Sequence, residues 1–168
     1  MIKILLIFSF FVTSNSFSQT PRISEKDLLL IFKKTIIKDK RGSVIIGKRA
    51  WYTCNDLEAY FKKDTISLVS YPETDNNVDC CNTVAWTFYK KDKFIQTRFQ
   101  KCKEPTTASA AKVSDYYSLK IKILGSATFL TITNNYDKKY VFEAIELVAT
   151  LDESTERPSY ELFLKRSN

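Results

Sequence analysis

From Tyr116 onward the chain alternates between apolar and polar residues. Tyr117, Leu119, Ile121 and Ile123 are interleaved with Tyr116, Ser118, Lys120 and Lys122, a period of two that gives a strand one face for a core and one for water. Gly125-Ser126 reads as a turn, Thr128, Leu130 and Ile132 as the returning strand, and Asn134-Asn135 as the next turn. Tyr140 to Leu151 is then a long strand and Asp152 to Pro158 a polar loop. Ser159 to Lys165 closes the chain with Tyr160, Leu162 and Leu164 on one face.

Upstream, Cys80 to Cys102 reads as a β-hairpin: two alternating runs flank a charged tip, with cysteines at both open ends. A lone hairpin is marginal in water, so it belongs to a larger sheet. Thr65 to Tyr71 alternates Ile66, Leu68 and Ser70 against Ser67, Val69 and Tyr71, and Ser43 to Thr53 reads as a first strand. Asn55 to Asp64 fits a helical turn or a strand. Pro72 to Asp79 and Lys103 to Asp115 are polar loops. The one helical pattern is Pro21 to Lys40, with Ser24 as N-cap, Asp27 three residues on, and Leu28, Ile31, Phe32 and Ile36 at helical spacing. Lys38 to Arg41 suit its C-terminal end and Gly42 reads as its stop, and the expected role is a helix that packs on or plugs the sheet. About eight evenly spaced strands predict an all-β barrel or sandwich rather than βαβ units.

Composition sets the compartment. Lys3 followed by Ile4 to Val12, apolar but for Ser9, and then Ser16-Phe17-Ser18 reads as a secretory signal peptide over residues 1–18. That apolar run is too short to cross a bilayer, which takes about 20 residues. The remaining 150 of the 168 residues suit one domain. The expected location is periplasmic or secreted, and four cysteines in an exported chain favour disulfides over metal or redox chemistry. Lys and Arg exceed Asp and Glu by 7, but they are scattered in ones and twos at strand ends and turns. This is the pattern of a solvated surface rather than a nucleic-acid stripe. With no histidine, Ser-His-Asp, Cys-His and His-zinc machinery are excluded. Three glycines and no Gly-rich loop argue against a phosphate cradle. Asp75 and Asp79, and Asp152, Glu153 and Glu156, lie in polar loops where solvation is the ordinary reading, and no EF-hand spacing is present.

The register of the hairpin is open on the residues alone. A two-residue loop between Lys91 and Asp92 sets Cys81 opposite Cys102 and puts Val84, Trp86 and Phe88 on a face with Ile95, Thr97 and Phe99. A three-residue loop pairs Phe88 with Phe94 and Cys80 with Cys102, which turns Phe94, Gln96 and Arg98 toward the core.

Taken in order, several segments resemble the lipocalin-like domains of exported bacterial proteins. They are Gly47-Lys48, the Cys-x5-Trp-x-Phe run of Cys80, Trp86 and Phe88, then Phe94, Cys102, Thr128 to Ile132, Tyr140-Val141-Phe142 and Tyr160 to Arg166. Lipocalins proper carry Gly-x-Trp on the first strand, with the Trp beneath a basic residue of the last. Here Trp51 follows Gly47 by four positions, with Arg166 as the basic residue. The resemblance runs from about Gly47 to Arg166 and implies an eight-stranded antiparallel up-and-down barrel; the barrel domain is expected over residues 43–168, after the helical segment at 19–42. The resemblance also implies a small apolar cavity and the pairs Cys80–Cys102 and Cys54–Cys81.

The candidate ligand contacts are Trp86, Phe88, Phe94, Tyr117, Tyr140 and Phe142, with Arg98 for a carboxylate head group. The ordinary reading of each aromatic is core packing, and that of Arg98 is a place on the outer surface. The expectation is an exported, non-enzymatic, monomeric protein that binds a small hydrophobic ligand in the barrel. It has no cofactor, no metal, no nucleic-acid partner and no membrane span. The alternative is a structural or interaction module of the cell envelope with a filled barrel. A solid interior would count against ligand binding.

Overall fold

The computed structural model describes residues 22–72, 79–108, 111–152 and 155–167. The expected signal peptide at 1–18, Asp75 and Glu153 lie outside them. The described elements are α1 (Glu25–Lys34), β1 (Trp51–Cys54), α2 (Ala59–Lys62), β2 (Thr65–Ser70), β3 (Asn82–Lys90), β4 (Lys93–Gln100), β5 (Thr107–Ala108), β6 (Tyr116–Leu124), β7 (Ala127–Asn134), β8 (Lys139–Asp152) and β9 (Arg157–Ser167).

Eight strands close into an antiparallel barrel in the order β1-β2-β9-β8-β7-β6-β4-β3 and back to β1, with the short β5 appended to β4. From β3 to β9 the barrel strands follow one another around the ring as a meander. β1 is inserted between β2 and β3, so those two strands are not neighbours. β1 and β3 pair over four positions, from Trp51↔Trp86 to Cys54↔Thr83, whereas β1 meets β2 at Tyr52↔Val69 alone. This seam is the thinnest part of the wall.

The alternation read from the sequence sets the inner face. Ile66, Leu68 and Ser70 of β2 are buried, as are Thr128, Leu130, Ile132 and Asn134 of β7 and Tyr160, Leu162 and Leu164 of β9. An eight-stranded barrel is just wide enough for such side chains to fill it.

Three expected boundaries shift. The helix ends at Lys34 rather than Lys40, because Thr35 turns its hydroxyl back onto the Phe32 carbonyl. The chain then forms a small turn in which Asp39 Oδ1 accepts from the backbone amides of Arg41 and Ser43 and a Lys38↔Val44 bridge closes it. Gly42, at φ +83°, serves that turn and not the helix stop. The first strand begins at Trp51 rather than Ser43, because Gly47 (φ +83°) and Arg49 (φ +52°) break the extended run. That turn is fastened to the wall by the Gly47 amide donating to Thr87 Oγ1 at 3.1 Å and by the Tyr52 hydroxyl donating to the Gly47 carbonyl. The ambiguous Asn55–Asp64 stretch is helical, a 3-10 turn at Asp56–Glu58 running into α2.

The hairpin combines the two alternatives. Its register is Phe88↔Phe94, Trp86↔Gln96 and Asn82↔Gln100, with an irregularity between Phe88 and Lys90, so Phe94, Gln96 and Arg98 share the inward parity. The disulfide, however, joins Cys81 to Cys102, with Cα atoms 5.0 Å apart, and replaces the implied Cys80–Cys102 bond. Both cysteines lie beyond the last paired residues, Asn82 and Gln100, where the chain bends and strand register no longer fixes who faces whom. With Cys81 taken, the implied Cys54–Cys81 bond falls too, and Cys54 and Cys80 are thiols here.

Candidate functional site

The barrel interior brings together most of the aromatic residues picked from the sequence. Trp86, Phe88, Phe94, Tyr117 and Phe142 belong to one buried cluster, with Tyr140 packed against it. Their rings touch in series: Trp86 stacks on Phe94 at 4.5 Å, Phe94 on Tyr117 at 5.3 Å, and Trp86 meets Phe142 edge-on at 6.4 Å. These are the offset and T-shaped separations that aromatic pairs prefer, each adding roughly 0.5–1.5 kcal/mol beyond area burial.

Both ends of the barrel are occupied by helices: α1 packs into the sheet as expected of the N-terminal helix, whereas sequence reasoning missed the plug at the other end. At one end α1 inserts Leu28 and Phe32, both fully buried. Phe32 stacks on Phe88 at 4.3 Å and meets Trp51 edge-on at 5.3 Å. Trp51 Nε1 donates to the Thr35 hydroxyl at 3.2 Å, so the residue that ends α1 also satisfies the buried indole. Thr128 Oγ1 donates to the Ile23 carbonyl at 2.6 Å and fastens the segment just before α1. Trp51 therefore sits beneath α1 and near Tyr160, while Arg166 lies over Phe142. The lipocalin pairing of first-strand Trp with last-strand Arg is not made.

At the other end the single turn of α2 carries Tyr60 into the core. The Tyr60 hydroxyl accepts from Trp86 Nε1 at 3.2 Å and donates to Gln96 Oε1 at 3.1 Å. Two arginines brace the turn. Arg166 donates from Nη2 to the Tyr60 carbonyl at 2.7 Å and lies 4.9 Å from the centroid of Phe142. Arg98, exposed at the rim, lies 4.9 Å over Phe61. Cation–π contacts of this kind are worth roughly 0.5–2 kcal/mol according to desolvation. Burial pushes the Tyr60 phenol well above its ordinary value, with Trp86's hydrogen bond opposing. Tyr117 is raised by burial and by Tyr140 and Asp115, against the charge of Arg98. The buried Tyr60 hydroxyl thus satisfies both Trp86 Nε1 and Gln96 Oε1. Tyr60 and Gln96 carried no signal beyond apolar spacing in an ambiguous stretch and inward parity on β4.

Outside the wall, an open groove of about 390 Å³ lies along the β1–β2 seam, lined by Tyr52, Lys63, Ser67, Val69 and Tyr71 among others. At its rim the Sγ atoms of Cys54 and Cys80 and a carboxylate oxygen of Asp56 all lie within 4.8 Å of one another. Asp56 organises this corner: Oδ1 accepts from Asn82 N and Nδ2, and Oδ2 from Cys81 N at 3.1 Å and from the Cys54 thiol at 3.7 Å. The amide bonds hold the Asp56 carboxyl below its ordinary range, Asn82's first. Cys80 is pushed up to about 12 by burial, by the Cys54 thiol and by the charge of Asp56.

The chain matches no protein-family model, no curated protein and no solved structure. No helix among the described residues is long and apolar enough to cross a membrane.

Proposed function

We propose that this is an exported, non-enzymatic interaction module of the cell envelope, built on a lipocalin-like barrel whose interior is filled by its own side chains. The observation that carries the reading is the continuous contact from Phe32 through Phe88 and Phe94 to Trp86 and Tyr60, running from one helix to the other. A ligand cavity is a concave, mostly apolar space of some hundreds of Å³ with a few convergent polar groups that orient the guest. Here the axis is occupied by rings, and the Tyr60 hydroxyl is taken up by Trp86 Nε1 and Gln96 Oε1. The outer surface then does the work, and its partner is another protein.

A second reading, binding of a small hydrophobic carboxylate, is supported by one observation. Arg98 and Arg166 both hold α2, a helix of one turn, over the aromatic interior. An acid whose head group took over these guanidinium contacts would release α2 and enter where Tyr60 stands.

One titration separates the two. The full mature chain is titrated with a fluorescent polyene fatty acid, and with it the Arg98→Ala variant. The filled-barrel reading expects no saturable binding to either protein. Stoichiometric binding that weakens in Arg98→Ala would overturn it in favour of the second. Native mass spectrometry of protein from its own host is the companion measurement, and a bare polypeptide mass is expected.

A further inference from the structure

We propose that Cys54 and Cys80 are the site of a second disulfide, one that ties the end of β1 to the start of the β3 approach. The two sulfurs face each other across the Asp56 corner, both half-buried and both within 4.8 Å of the same carboxylate oxygen. Backbone bonds hold them there. Cys54 is paired with Thr83, and the next residue, Asn55, donates its amide to the Asn82 carbonyl at 2.7 Å, which sets the β1 end against the segment carrying Cys80. Cys81, the residue after Cys80, is already bonded to Cys102. A medium that closes that bond is oxidising enough to act on a thiol pair one residue away. The inference thus rests on the export reading, but not on whether the barrel is filled.

The step balances as thiol–disulfide exchange. One thiol loses its proton and attacks a sulfur of an external disulfide, such as glutathione disulfide or a disulfide oxidoreductase, releasing one reduced sulfur. The second thiol of the pair loses its proton and attacks the mixed disulfide, forming the Cys54–Cys80 bond and releasing the other reduced sulfur. The pair gives up two electrons and two protons, and the external disulfide becomes two thiols. Burial, the Cys54 thiol and the nearby Asp56 charge keep the Cys80 thiol protonated near neutral pH, so closure is slow there and speeds up as the medium becomes alkaline.

The bond would close a loop containing α2 and β2, the plug and the weakly paired side of the seam. Its effect is to hold the plug even where the β1–β2 ladder does not.

The test uses the full mature chain oxidised with a glutathione redox pair. Free thiols are alkylated under denaturing conditions and located by peptide fragmentation between Cys80 and Cys81. The expected result for the native sequence is no alkylated cysteine. Cys54→Ser is expected to leave one alkylated residue, Cys80, with Cys81–Cys102 intact. Two alkylated cysteines in the native sequence overturn the proposal. So does Cys81 or Cys102 as the free residue in Cys54→Ser, since that means the four cysteines pair differently. Should Cys54→Ser fold poorly, Cys80→Ser gives the same reading, with Cys54 as the single free thiol. Zinc is added to the reduced protein as a control. Retention of one zinc per chain that blocks oxidation would make the cluster a metal site and sink the disulfide.

Discussion

Phe32 of α1 lies face to face on Phe88 of β3, with ring centroids 4.3 Å apart and planes 11° from parallel. The contact makes α1 a stopper rather than a decoration, because both rings are buried and Phe32 also abuts Trp51. Phe32→Ala should destabilise the protein by about 3–5 kcal/mol, the usual range for emptying a buried aromatic site. The variant should also admit a benzene-sized probe that the native protein excludes, since apolar cavities of that size take such guests. Urea unfolding and a xenon- or benzene-shift NMR titration check the two halves. A loss below about 1 kcal/mol would mean that α1 does not seal the barrel.

At the opposite end, Tyr60→Phe keeps the ring but strands Trp86 Nε1 and Gln96 Oε1 in the core. An unsatisfied buried group costs about 1–3 kcal/mol. The expected result is a lower urea midpoint with an unchanged m-value, and a shift in Trp86 emission. A double-mutant cycle with Gln96→Leu should show coupling, because the two residues share one hydroxyl.

Alkali should unfold the protein by way of the same phenol. The unfolded chain releases a tyrosine proton near pH 10, whereas folded Tyr60 holds its proton to higher pH because it is buried. Above about pH 10 the folded state therefore binds more protons than the unfolded one, and stability falls as pH rises. Below that value the contribution is fully present. While Cys80 is reduced, its thiol, pushed up to about 12 by burial, adds a second loss that starts near pH 9. Thermal melts from pH 8 to 11.5 should show a declining midpoint, and Tyr60→Phe should flatten the part above pH 10.

Replacing both Cys81 and Cys102 by serine should lower stability by about 3 kcal/mol, as expected for a bond that closes a loop of this size. Reducing the native protein should cost more, because it also opens the Cys54–Cys80 bond proposed above; reducing Cys54→Ser should give the similar loss. Chemical denaturation with and without reductant measures it.

The strands were legible because their burial has period two. On β7 and β9 every residue expected inside is inside, from Thr128 to Ile132 and from Tyr160 to Leu164. The N-cap of α1 was equally plain, since Ser24 accepts from the Asp27 amide as read. What could not be read depends on partners distant in sequence. The helix stops at Lys34 because Thr35 serves both Phe32 and Trp51, the latter 16 positions away. That the N-terminal helix packs on or plugs the sheet was legible in its apolar face, but the plug of α2 was not, because Tyr60 looks like any amphipathic residue until the end of a barrel is there to receive it. The disulfide was misassigned because spacing counts residues along a straight ladder, and both cysteines sit past its end.

The placement of β1 between β2 and β3 also bears on how the chain finds this shape. From β6 to β9 each strand meets the next one along, so pairing can proceed by short steps. Closing the ring instead requires partners such as Thr65 and Lys165, far apart along the chain. Chain entropy makes such non-local contacts slow to form. The circle is thus completed by its least local strand, alongside its weakest ladder at Tyr52↔Val69. In amide exchange, β1 and the edge of β2 facing it should trade protons first, while β7 and β8 hold theirs to the limit of global unfolding.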